Sequence, residues 1–157
     1  MTVWRRLVAQ ARENRGATVV EFAMIFPLLA ILAFGAIDFG RAFFIRNSLL
    51  SAAREGARAG AVYRNLCTDQ ANAITFIRTK ARGVLTRFGG PVPTDAQLTV
   101  LIVPSTVADC QTGPTRIRVN VVAYPFTPLT PVMGLIGRVG GFALNTTASY
   151  RYEWAGN

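Results

Sequence analysis

Between Ala17 and Ile37 lie 21 residues of which only Glu21 is charged. As a helix rising about 1.5 Å per residue, such a run is about 32 Å long, enough to cross the roughly 30 Å hydrocarbon core of a bilayer. A buried core helix of a soluble domain ordinarily keeps a polar stripe, and this run has none. A cleaved secretory signal would be shorter and end at a small-x-small site. Here the run continues through Asp38-Phe39-Gly40-Arg41 into further helix-forming sequence. The segment therefore reads as a retained transmembrane helix. Arg5, Arg6, Arg12 and Arg15 precede it against a single Glu13, which favours a cytoplasmic N-terminus.

Composition narrows the function. The formal net charge is +9 and the positive charge is nearly all arginine, scattered along the chain rather than gathered in one arm. That distribution suits anionic neighbours and weakens a nucleic-acid reading. Histidine is absent, which removes the commonest general base and metal ligand. Two cysteines are too few for a thiolate zinc site. Asp69, Asp95, Asp109 and Glu153 are scattered, and Gly89-Gly90 reads as a turn rather than a phosphate loop. No catalytic set, cofactor, metal or small-molecule substrate is expected.

Beyond the apolar run the periodicity remains helical to about Val62. Leu49, Ala52, Ala53, Gly56, Ala57 and Gly60 recur at spacings of three and four and share a face of mostly small residues. Two readings stay open for it: packing on the chain's own domain, or close approach of a partner helix. Thr68 or Asp69 can cap a second helix ending near Phe88, before Gly89-Gly90-Pro91. Its apolar stripe is Ile74, Ile77, Ala81, Val84, Leu85 and Phe88. Arg78, Lys80, Arg82 and Arg87 read as a solvated basic face. Three strands should follow: Gln97 to Val103, Arg116 to Tyr124 and Leu144 to Tyr152. In the second, Ile117, Val119, Val121 and Ala123 should face inward. A short helix is expected near Val132 to Arg138. The fold class is thus α+β: a long N-terminal transmembrane helix running into a small domain with a second helix and a roughly three-stranded antiparallel sheet.

Cys67 and Cys110 each fall beside a regular element. On the far side of a membrane helix they would meet an oxidising compartment and could form one bridge; two unpaired buried thiols are the other reading. Pro27 inside the apolar run frees a backbone carbonyl and is expected either to kink or loosen the helix there or to be simply tolerated. Glu21 is the costly residue: intramembrane carboxylates are functional by default, although a first-turn carboxylate is also favoured by the helix dipole.

Gly16-Ala17-Thr18-Val19-Val20-Glu21-Phe22, set between a basic leader and an apolar helix, resembles the processing signal of type IV pilin-like proteins. The run from Arg15 to Phe44, then NSLLSAAREGARAGA at Asn47 to Ala61, resembles TadE-like minor pseudopilins of the tight-adherence (Tad/Flp) pilus. AYPFTPLTP at Ala123 to Pro131 and SYRYE at Ser149 to Glu153 extend the likeness. The resemblance implies a leader at 1–16 removed by a prepilin peptidase between Gly16 and Ala17, a transmembrane helix at 17–38, and a pilin-like domain at 39–157. It further implies that Glu21, with Phe22 and Pro27, serves assembly, the carboxylate meeting the new N-terminal amine of a neighbouring subunit. Flp-type major pilins are very short and carry Glu-Tyr; Glu21-Phe22 and the large domain point to a minor subunit. The implied partners are the peptidase, other pilins and pseudopilins, Tad assembly proteins and inner-membrane lipid. The implied location is the bacterial inner membrane, with the domain periplasmic or on an extracellular adhesive pilus. From a different class, the alternative is an uncleaved, membrane-anchored module whose basic outer surface holds an anionic envelope polymer.

Overall fold

The computed structural model describes residues 2–87, 89–90, 92–104, 106, 108, 110, 115–130 and 141–152, with side chains from Gly16 onward. Two helices and three strands follow in order: α1 (Thr2–Ala61), α2 (Gln70–Arg87), β1 (Leu98–Val103), β2 (Arg116–Phe126) and β3 (Phe142–Arg151). The α+β layout is the one the sequence implied. The expected helix at Val132 to Arg138, and Phe88, Asp109 and Glu153, lie outside the described residues.

Helix α1 does not start at the apolar run; it starts at Thr2 and continues without interruption through Gly16 and Pro27. Residues 2–15 contain neither Gly nor Pro and include four Arg and two Ala, good helix formers that allow the extension. By contact the chain divides into two compact units, Met1–Phe39 with Leu129–Val139, and Gly40–Pro128 with Gly140–Asn157.

In the first unit nearly every described residue from Gly16 to Phe39 is exposed, including Met24 at 79% and Phe39 at 75%. Phe22 and Phe26, one turn apart, stack with centroids 5.4 Å apart. The buried exception is Asp38, 2% exposed.

The second unit holds the core. The small-residue face of α1 packs on α2 and the sheet: Leu49, Ala52, Ala53 and Ala57 are fully buried. A Cβ at Gly56 would lie 3.1 Å from Ala81 Cβ and 3.3 Å from the Ile77 carbonyl oxygen; one at Gly60 would lie 2.7 Å from Ile77 Cδ1 and 3.2 Å from Ile117 Cγ2. Of the two readings, internal packing is the one realised on this stretch. Gly56→Val should lower unfolding stability by about 2–3 kcal/mol through overpacking, seen as a lower denaturation midpoint; an unchanged midpoint would mean the helices separate at no cost.

Asp69 caps α2: its carboxylate accepts from the Asn72 backbone N–H at 3.5 Å and from Asn72 Nδ2 at 2.8 Å. The helix ends in a Schellman motif, with Gly90 N–H donating to Leu85 O and Gly89 N–H to Thr86 O, and Gly89 at φ +63°. Ala73, Ile77, Ala81 and Leu85 form its buried stripe, with Ile74 and Val84 half-buried beside them. The basic face is not merely solvated. Arg82 Nη2 reaches Asp95 at 2.6 Å and also donates to the Pro93 carbonyl at 3.4 Å, while Arg78 Nη1 lies 3.7 Å from Asp95 and its Nε donates to the Leu98 carbonyl at 3.3 Å. Asp95 turns that face into a fastening for the segment entering β1.

The sheet is antiparallel in the order β1-β2-β3. Ile117, Val119 and Val121 are buried. Ala123 is not, contrary to the simple alternation. The register shifts between Val121↔Thr146 and Tyr124↔Leu144, and Ala123 sits at φ 53° with its N–H donated to Asn145 Oδ1 at 2.7 Å. This β-bulge turns Ala123 outward and returns Phe126 to the core, 1% exposed.

Candidate assembly segment and its anchor loop

The residues singled out at the head of the apolar run all lie on α1. Among the described residues, and apart from the helix's own backbone, no atom lies within 4 Å of where a Cβ at Gly16 would stand. Glu21 is exposed, four residues, or about one turn, beyond Ala17. Phe22 is 60% exposed beside Phe26. Pro27 is exposed on an unbroken helix. Glu21 is the only ionisable side chain between Gly16 and Ile37. This surface has the composition of a lipid or partner-helix contact: apolar, continuous and far larger than the isolated exposed side chains of a soluble surface.

A second feature was missed by the sequence reading, which took Asp38 only as the end of the apolar run. Its carboxylate accepts from the backbone N–H of Leu129 at 2.9 Å and of Thr130 at 3.3 Å, and from the Thr130 hydroxyl. A buried carboxylate must have such donors, because burial strips its water. The available signal was a lone acid beside a membrane-length run together with a proline-rich, apolar loop whose backbone groups needed partners. Within the second unit, Arg41 Nη1 donates to Thr127 O at 3.0 Å and its guanidinium stands 5.7 Å from the Phe126 ring centre. Burial pushes the Tyr124 phenol above its ordinary pKa, and the Arg41 charge partly opposes this. Burial also raises Tyr152, opposed by a hydrogen bond from the Leu66 backbone; its hydroxyl donates to Arg64 O at 3.1 Å.

Residues 16–58 match the family model for TadE-like protein. Over those 43 of its 157 residues the chain is similar to TadE-like proteins. The match begins at Gly16 and includes Ala17, Glu21, Phe22, Pro27, Asp38 and Arg41, so the exposed helix and both of its loop-holding residues lie inside the TadE-like segment. No curated protein and no solved structure matches the chain.

Outside the matched segment, Cys67 and Cys110 are joined as a disulfide with Cα atoms 5.6 Å apart. They are 5% and 0% exposed, and Thr115 Oγ1 donates to the Cys110 carbonyl at 3.0 Å. The structure does not bring this bridge into the apolar segment; it belongs to the core of the second unit. Among the described residues no group of three or more His, Cys, Asp or Glu could hold a metal ion.

Proposed function

We propose that this protein is a minor pseudopilin or assembly subunit of a Tad/Flp-type adhesive pilus. A prepilin peptidase removes residues 1–16, leaving Ala17 as the N-terminus. Residues 17–38 span the inner membrane from a cytoplasmic start, and residues 39–157 form the domain on the periplasmic or extracellular side. The observation that carries this reading is the wholly unburied apolar stretch of α1 on a chain whose second unit has a complete core of its own. Such a surface needs lipid or other apolar helices around it. Partner subunits offer the same environment as lipid, which is what lets one segment serve in a membrane and then in a fibre.

Glu21 gives the segment its register. In a low-dielectric layer a lone carboxylate and a lone ammonium are each expensive, and pairing them removes much of that expense. The amine of Ala17 in a neighbouring subunit is the charge made available by processing. Removing one member of such a pair costs about 3–5 kcal/mol, which exceeds a hundredfold in an assembly equilibrium.

The test is expression with the cognate prepilin peptidase, read by intact mass and by recovery in the pilus fraction. Wild type should lose 16 residues and begin at Ala17. Gly16→Ala should slow this cleavage. Glu21→Gln should still be processed but fall at least about a hundredfold in assembled protein. A native chain that retains Met1, with Glu21→Gln behaving as wild type, would favour the uncleaved membrane-anchored envelope module instead.

A further inference from the structure

The side of the sheet turned away from the helices has a charge pattern that the assembly reading does not use. At one end of the sheet, Arg116 in β2 pairs directly with Arg151 in β3, and Arg118 lies two residues along β2 on the same face. All three are exposed. The strand spacing and the two-residue repeat place these positions about 5 Å and about 7 Å apart. None of the three has an ion pair among the described residues, while Asp95, the nearest acid by sequence to β1, is committed to Arg78 and Arg82. Like charges directly opposite on a sheet lower stability, so the Arg116–Arg151 pairing carries a cost that an anion would relieve.

We propose that this face binds an acidic polysaccharide, with its carboxylate or sulfate groups on Arg116, Arg118 and Arg151. Arginine forks bind carboxylates and sulfates through paired N–H donors. The rest of the face supplies exposed hydroxyls suited to sugar hydroxyls: Thr147 opposite Asn120, and Ser149 opposite Arg118. No aromatic side chain stands among these positions, so a single-stranded nucleic acid would find charge but no stacking platform. The face is equally poor for a protein partner. Its exposed apolar side chains are Leu101 and Val103 on edge strand β1 and Val122 at the bulged end of β2, set around the arginines rather than gathered into the central apolar core that protein interfaces bury. This inference stands on the sheet alone and holds whether or not the N-terminal helix is processed.

The experiment uses the full chain in non-ionic detergent micelles, with polygalacturonate as the probe and dextran, polyglutamate, poly-dT and phosphatidylglycerol vesicles as comparators. Polygalacturonate should bind and raise the melting temperature, and dextran should do neither. The triple variant Arg116→Gln/Arg118→Gln/Arg151→Gln should bind at least about tenfold more weakly, while melting no lower than wild type because the opposed charges are gone. A second triple variant, Arg46→Gln/Arg54→Gln/Arg58→Gln on α1, removes the same charge from another face and should bind as wild type. Equal loss in both variants, or equally tight binding of polyglutamate, poly-dT or the vesicles, overturns the proposal.

Discussion

Replacing Cys67 and Cys110 together by serine is expected to lower the stability of the second unit by about 4 kcal/mol, the chain-entropy value for the roughly 43-residue loop they close. In thermal unfolding of the full chain in micelles this amounts to a fall of roughly 10–20 °C, and reducing the wild type should reproduce it. The loop contains α2 and β1, so the bridge holds both ends of the segment that covers the small-residue face of α1. Because both sulfurs are buried, a thiol reagent should label reduced protein only as fast as the unit unfolds. Rapid labelling of folded, reduced protein, or an unchanged melting temperature, would show that the bridge contributes little beyond the packing around it.

Asp38→Ala should have the second large effect, and it should be local. The substitution leaves the N–H groups of Leu129 and Thr130 and the Thr130 hydroxyl without their acceptor. An orphaned buried donor costs about 1–3 kcal/mol, so the loop should open roughly 30- to 150-fold more readily if about 2–3 kcal/mol is lost. Amide exchange at Leu129 and Thr130 measures this directly, with core amides such as those of Ile77 and Val119 as references that should not change. Asp38→Asn, which keeps one acceptor oxygen, should fall between. Equal exchange in wild type and Asp38→Ala would show that solvent already satisfies those groups.

Much of the fold was legible because periodicity is a local property. The stripe Ile74, Ile77, Ala81 and Leu85 follows the α-helical repeat, and Ile117, Val119 and Val121 follow the strand repeat, so each segment announced its conformation and its buried side. The composition of Ala17 to Ile37 needed no partner to be informative: one charge in 21 residues rules out an ordinary soluble surface helix. The family likeness was legible at the same place, since Gly16, Glu21 and the run behind them are contiguous.

What sequence could not reveal depended on residues brought together from far apart. Ala123 follows the alternation of its neighbours and yet faces outward, because Asn145 in another strand takes its N–H and sets a bulge. Arg78 and Arg82 read as solvent-facing until Asp95 is placed beside them. The small-residue face of α1 suited either an external helix or an internal one, and only the approach of Ala81 and Ile77 to Gly56 decided between them. Asp38 is the sharpest case: its neighbours along the chain say nothing of Leu129 and Thr130, about ninety residues later. Residue order by itself determined the α+β class, the apolar span and the isolation of Glu21, because hydrophobicity and helical spacing act over a few residues. Tertiary structure alone decided where the carboxylates, guanidiniums and register shift go, because a buried polar group is stable only where a partner from elsewhere in the chain meets it.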